Sequence, residues 1–274
     1  MEVSRRDFLK LAGIASAGAV VAGSTGSLLT GCSPIRGDKS LEGKQMTMLF
    51  IPERCEEGCT DCVTACHSKH NVPNLTNKKH EIKWIWETEF KHAFTEHMDN
   101  ELLMERMEHE PYLVMCNHCA NPSCVRVCPT KATFKRRDGV VLMDYHRCIG
   151  CRFCVAACPY GARSFNFEEP RNGLEADKIN PNYPTRTKGV VEKCSFCAER
   201  DLHGNFGTPE LPYCVEACIK KKGNLEKSAL IFGDFADENS DIHKLFEHLT
   251  EDEKLVPLRR KEIAGTNPKV YYLV

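Results

Sequence analysis

Sixteen of the seventeen cysteines fall into four quartets with short, repeating spacings. The first holds Cys55, Cys59, Cys62 and Cys66. The second holds Cys116, Cys119, Cys124 and Cys128, with Pro129 directly after it. The third holds Cys148, Cys151, Cys154 and Cys158, followed by Pro159. The fourth opens with Cys194 and Cys197 and closes with Cys214 and Cys218. Thiolates are soft ligands suited to iron–sulfur clusters. Four of them complete one cubane, so the quartets predict four [4Fe–4S] clusters. A chain built this way is expected to carry electrons.

The third quartet has the spacing C-x2-C-x2-C-x3-C-P, in which the last cysteine serves the other cluster of a pair. Its three close thiols can wrap one cubane from a single loop, and the proline turns the chain away. The second quartet has a longer middle step and the same C-P ending, so the two read as partners. That reading groups Cys116, Cys119 and Cys124 with Cys158, and Cys148, Cys151 and Cys154 with Cys128. The first and fourth quartets nest outside them in the same crossed way. Cys55, Cys59 and Cys62 then join Cys218, while Cys194, Cys197 and Cys214 join Cys66. Three residues separate Cys55 from Cys59, and His67 and Ile219 stand where the inner pair has proline. The outer clusters are therefore expected in a different environment, and the spacing does not fix Cys55 as a ligand.

Two other chemistries compete. The fourth quartet taken alone also fits a zinc ribbon, although zinc sites have no need of crossed C-x3-C-P endings. An exported, cysteine-rich chain would ordinarily suggest disulfides, against which stands the C-x2-C clustering. Haem c is excluded by spacing, because Cys62 and Cys66 are one residue too far apart before His67 for a C-x-x-C-H site.

The amino terminus bears on location. Ser4-Arg5-Arg6-Asp7-Phe8-Leu9-Lys10 resembles a twin-arginine export signal, and an uncharged Ala- and Gly-rich stretch over residues 11–30 follows. The alternative is a membrane anchor, for which the Gly and Ser content makes the stretch weakly apolar. Export of a folded, loaded protein would let clusters be built in a reducing cytoplasm. The expected place of work is then the outer face of the cytoplasmic membrane. Leu29-Thr30-Gly31-Cys32 is similar to a lipobox, with Cys32 as the lipidated residue. A two-chain lipid there would hold the protein at a membrane. The alternative is an incidental cysteine near a cleavage site.

The elements that must deliver these thiols are short. The chain has 274 residues and a formal net charge of −1, which suits one cluster-bearing unit and shows no nucleic-acid footprint. Residues 1–31 read as the signal and 32–45 as a tether. Residues 46–110 carry the first quartet with an insertion, 111–169 form an inner two-cluster lobe, and 170–274 complete the outer lobe. The expected class is α+β: tandem ferredoxin-like lobes with insertions, small strands and loops around four clusters. Strands are expected at residues 46–51, 81–87, 112–115, 162–167, 190–192, 229–232 and 269–273. Asp138-Gly139 signals a hairpin between residues 132–136 and 140–144. Residues 99–109 and 241–249 have helical patterning, and 168–189 read as a surface loop.

Several features have two readings. Lys220, Lys221 and Lys222 either form a solvated face or act on a cluster or an acidic partner. Trp84 and Trp86 share one strand face and either pack the interior or cover a cluster or membrane partner. The histidines have no metal-ligand spacing. No phosphate loop, nucleophile elbow or pair of catalytic acids is visible, so no substrate chemistry of the chain's own is expected.

The four quartets together resemble the four-cluster electron-transfer subunits of the dimethyl sulfoxide reductase family, over nearly all of residues 46–274. Cys66-His67, His70-Asn71-Val72-Pro73 and Glu81-Ile82-Lys83-Trp84-Ile85-Trp86 are similar to the periplasmic iron–sulfur subunits of Dsr membrane complexes in sulfate reducers. The archaeal counterparts belong to Hdr-like menaquinol oxidoreductases. The resemblance implies a membrane-associated hetero-oligomer with an NrfD-type quinone-binding subunit, a multihaem cytochrome c and Hdr-like subunits. It implies a relay between menaquinol and the cytochrome. Two other functions remain open: the electron-transfer subunit of a molybdopterin oxidoreductase, and a zinc-stabilised interaction module.

Overall fold

The computed structural model describes residues 41–107, 111–203 and 209–274. The twin-arginine string, the stretch over 11–30, Cys32 and most of the tether lie outside the described residues, as do 108 and 109 of the expected helix.

The chain runs from strand β1 (Met46–Phe50) through helix α1 (Asp61–Lys69) to β2 (Ile85–Thr88). Helices α2 (Phe90–Ala93) and α3 (Glu101–Met107) precede β3 (Tyr112–Met115). Next come α4 (Ser123–Arg126), the hairpin β4 (Thr133–Lys135) and β5 (Val141–Met143), α5 (Phe153–Ala156) and β6 (Ser164–Phe165). The last part holds β7 (Val191–Glu192), α6 (Tyr213–Lys222), β8 (Leu230–Asp234), α7 (Asp241–Glu251), β9 (Pro257–Leu258) and β10 (Val270–Leu273). The mixture is α+β.

One sheet, in the order β8-β1-β10-β9, draws the two ends of the described chain together. β1 lies antiparallel to β8 and parallel to β10. Every residue of β1 is buried, so both faces must be covered, and the period of two divides them. Met46, Met48 and Phe50 enter the main core beside Leu230, Phe232, Val270 and Tyr272. Leu49, Ile231 and Leu273 face the other way, against Ile242 and Leu249 of α7. α7 begins at Ser240, whose side chain accepts from the His243 amide at 3.3 Å, a standard means of satisfying a free helix-end donor. Three two-stranded ladders complete the framework: β2 with β3, β4 with β5, and β6 with β7.

Two expectations need correction. The strand expected over 81–87 runs only from Ile85 to Thr88. Trp84 precedes it and is buried in the main core, while Trp86 packs at that core's edge. The hairpin forms as expected: beyond the β4–β5 ladder the Arg136 amide donates to the Val140 carbonyl at 2.8 Å, and the Gly139 amide to the Arg136 carbonyl at 3.1 Å, closing a tight turn in which Gly139 has a φ of 84°. Asp138 braces the turn: its buried carboxylate accepts from the Val140 amide, the Arg136 guanidinium and His203 Nε2. The 168–189 segment is not merely surface. Its Arg186 is buried and donates to the carbonyl oxygens of His70 and Asn71.

The α7 face lies apart from the cysteine loops, so its packing is separable from theirs. Leu249→Ala is expected to destabilise the protein by about 2–5 kcal/mol. Denaturation of the iron-loaded protein followed by circular dichroism should show it, with iron content before unfolding unchanged.

Candidate metal centres

The sixteen cysteines of the quartets are free thiols. Two cavities each collect four of them. Cys55, Cys59, Cys62 and Cys218 line the first, with Glu56, Glu87, Lys221 and Lys222 at its edge. Cys116, Cys119, Cys124 and Cys158 line the second, with Arg163 and Tyr160. Each takes three thiols from one quartet and one from a quartet distant in sequence. A third group follows from electrostatics: Cys66 is pushed well up by burial and then by Cys194, Cys214 and Cys197. In the remaining group Cys154 and Cys148 are neighbours in one small core cluster.

Helix pairs create this convergence. α1 carries Cys62 and Cys66 one turn apart and packs along α6, which carries Cys214 and Cys218. Side chains four residues apart share a helix face, so each helix serves two thiol groups at once. The short helices α4 and α5 repeat the arrangement with Cys124 and Cys154, tied by the Ser123 hydroxyl donating to the Ala157 carbonyl at 2.7 Å. Cys128 and Cys158 leave the ends of these helices. α6 ends at Gly223, whose positive φ of 90° closes the helix in the usual left-handed cap.

Burial raises these thiols because it disfavours the thiolate. Cys55 is pushed up to about 12, first by burial and then by Cys59 and Cys218. Cys62 reaches about 12 from burial, Cys218 and Cys55. Cys119 reaches about 12 from burial and Cys116. Cys194 also reaches about 12, and after burial its largest raising neighbour is Cys116. Cys128 differs: burial pushes it up, but hydrogen bonds from the Thr133, Ala132 and Thr130 amides and the Thr130 hydroxyl bring it below its ordinary value. Four converging thiols, buried or half-buried, whose thiolate forms would repel one another fit a cationic, thiophilic group. They do not fit a zinc ribbon of the fourth quartet, because Cys218 faces the Cys55 cavity while Cys194, Cys197 and Cys214 stand with Cys66.

The four groups also run in a sequence. α1 joins the Cys55 group to the Cys66 group, and Cys62 acts on Cys214. Cys116 acts on Cys194, joining the Cys66 group to the Cys116 group. Cys124 acts on Cys154, joining the Cys116 group to the Cys148 group.

Spacing could not reveal the polar groups between them. His70 Nδ1 donates to the Cys66 carbonyl oxygen at 2.8 Å, and its Nε2 meets Glu199 at 2.8 Å. It stacks on Trp84 at 4.6 Å. Trp84 Nε1 donates to Glu192 at 2.9 Å, and Glu192 pairs with Arg186 at 2.6 Å. These contacts fasten the end of α1 to the 168–189 segment. His70, Cys197 and Glu199 bring ligand atoms within 4.8 Å of one another, but Cys197 belongs to the Cys66 group. Lys193 is buried and donates to the Cys194 carbonyl at 2.7 Å. His118 is held well below its ordinary range by burial, then Lys193 and Arg163, and stays neutral. Lys222 pairs with Glu56 at 2.9 Å, so the lysine run is tied to the rim of the Cys55 cavity.

Such a fold and thiol set define an iron–sulfur protein, and residues 107–173 match the model of a 4Fe-4S dicluster domain. The chain is 39% identical to the Hdr-like menaquinol oxidoreductase iron-sulfur subunit 1 of Archaeoglobus fulgidus, over 98% of this chain and 97% of that one. It is 34% identical to the menaquinone reductase iron-sulfur cluster-binding subunit of Nitratidesulfovibrio vulgaris, covering 82% of this chain and 87% of the other. A tetrathionate reductase subunit of Salmonella typhimurium is 32% identical over 100% of this chain and 89% of its own length. The chain belongs to this family of iron–sulfur electron-transfer subunits and binds 4Fe–4S clusters.

Gly150 offers a test of the loop geometry. It sits between Cys148 and Cys151 with φ +70°, and a Cβ there would lie 2.3 Å from the Gly189 carbonyl oxygen. Gly150→Ala adds this overlap to an unfavourable backbone, costing about 1–3 kcal/mol or more. The expected result is a lower unfolding temperature and loss of iron from the third quartet's site, read by iron analysis and EPR.

Proposed function

We propose that the chain holds four [4Fe–4S] clusters in tandem ferredoxin-like lobes and passes electrons along them. Cys55, Cys59, Cys62 and Cys218 hold one. Cys66, Cys194, Cys197 and Cys214 hold the next. Cys116, Cys119, Cys124 and Cys158 hold the third, and Cys128, Cys148, Cys151 and Cys154 the last. The observation that carries this reading is the pair of cavities in which three thiols of one quartet meet one thiol of another. The grouping of Cys128 rests on the crossed spacing and on the packing of α4 against α5. The clusters supply one-electron chemistry. The chain's residues ligate them, exclude water and set their electrostatic surroundings.

The relay joins a menaquinol-binding, NrfD-type membrane subunit to a multihaem cytochrome c, in a complex with Hdr-like subunits. The similarity to the Archaeoglobus protein over nearly the whole of both chains, and to the Nitratidesulfovibrio protein over most of both, favours this setting. The twin-arginine string supports export to the outer face of the membrane, with Cys32 as a lipid attachment. Among the described residues no helix is long and apolar enough to cross a membrane, so association there rests on partners and the amino terminus. A second reading, the electron-transfer subunit of a molybdopterin oxidoreductase, is favoured by the match to the Salmonella tetrathionate reductase protein.

Purification through a carboxy-terminal tag, anaerobically from native membranes, separates the two. An NrfD-type protein with a cytochrome c and Hdr-like subunits supports the menaquinol relay, and a molybdopterin subunit in their place supports the second reading. Ligation is tested by Cys218→Ser. Damage to the cluster held by Cys55, Cys59 and Cys62 is expected in EPR and iron analysis. Damage confined to the cluster of Cys194, Cys197 and Cys214 would contradict the crossed scheme.

A further inference from the structure

Arg163 is a buried cation without a carboxylate. It is 4% exposed. Nη2 donates to Cys124 Sγ at 3.1 Å and Nη1 to Thr133 Oγ1 at 3.1 Å, with the Met143 sulfur at 3.7 Å from Nη1. Cys154 packs in the same small core cluster as Cys124 and is a second thiol neighbour of the guanidinium. Its charged neighbours that favour the cation are Cys124, Cys154 and Cys116, and none of its hydrogen bonds among the described residues goes to a carboxylate. Of the two other arginines buried among the described residues, Arg186 pairs with Glu192, and Arg260 lies over the Tyr160 ring and donates to the Ala93 carbonyl oxygen.

An isolated ionised side chain is costly to bury, and an arginine does not escape by losing its proton. Something anionic must offset it. The only anions that Cys124 and Cys154 can supply are thiolates, one from each of two separate thiol groups. Arginine's planar fork is suited to meeting two acceptors at once. A lysine in its place would bring one nitrogen to two sulfurs.

We propose that Arg163 is a shared tuning residue, its guanidinium bridging the cluster held by Cys116, Cys119, Cys124 and Cys158 to the cluster held by Cys128, Cys148, Cys151 and Cys154. This rests on the ligand grouping proposed above. A fixed positive charge and N–H···S bonds favour the more negative, reduced state of a cluster, so they raise its potential. Placed between two clusters, one residue raises both together and keeps the step between them small. Among the described residues no other arginine donates to a cysteine sulfur, and the buried Lys193 donates to the carbonyl oxygens of Val141 and Cys194.

The test is an EPR-monitored redox titration of the anaerobically purified, iron-loaded protein, comparing wild type with Arg163→Gln and Arg163→Lys. In Arg163→Gln two of the cluster midpoint potentials should fall and the other two stay in place. Arg163→Lys, with the charge kept and the fork lost, should lower the same two by less. Unmoved potentials at full iron content would overturn the bridge, as would a fall confined to one cluster. If the glutamine variant does not load iron, the lysine variant decides: lowering of both inner potentials supports the bridge, and no change or a change in one alone overturns it. Iron and sulfide counts on the wild type separate the two claims. Fewer than four clusters there defeats the ligand grouping, whereas four clusters with unshifted variants defeats only the role of Arg163.

Discussion

Buried thiols are the constraint on which this structure depends. Chain segments more than a hundred residues apart bring sulfur to common points in the interior, Cys55 to Cys218 and Cys66 to Cys194. Burial there favours the neutral thiol and pushes Cys55, Cys62, Cys119 and Cys194 up to about 12. Only a strongly cationic group gathered at those points makes the thiolate form stable, and metal binding then becomes part of the folding free energy. The buried cations Lys193 and Arg163 sit against these groups without carboxylate partners, as expected for a framework completed by clusters of net negative charge.

The rest of the fold holds the converging loops in place. β1 and β10 pair in parallel, so the start and end of the described chain close one sheet, and its outer face is sealed separately by α7. The ladder of β6 and β7 joins the third quartet's exit to the fourth quartet's entry. The Trp84, Glu192 and Arg186 cluster fastens α1 beneath the 168–189 segment. Electron transfer needs clusters at fixed separations rather than a moving site. A scaffold fastened at both ends and cross-tied by buried ion pairs suits that need.

Much of this was legible in the sequence, for physical reasons that differ by element. β3 falls on Tyr112–Met115 as expected, because a short apolar run before a cysteine loop has few other options, and β1 differs by one residue. The hairpin signal at Asp138-Gly139 found the turn, because a glycine takes its positive φ freely and the Asp138 carboxylate accepts from Arg136 and His203 beside it. The alternation of residues 81–87 suggested a longer strand than the one that forms, because Trp84 is drawn into a stack with His70 instead. Arg163, Arg186, Glu192 and Lys193 were not legible at all. Their importance lies in burial and in partners far along the chain, which spacing does not encode. Cys32 and the twin-arginine string lie outside the described residues.

The central claim is that sixteen cysteines hold four cubanes, and the most direct measurement is a count of iron and acid-labile sulfide in the anaerobically purified full chain, with EPR of the reduced protein. Four cubanes give about sixteen iron and about sixteen sulfide per chain, with interacting signals from four clusters. A chain holding zinc without sulfide, or only the iron of a single cluster pair, would contradict it.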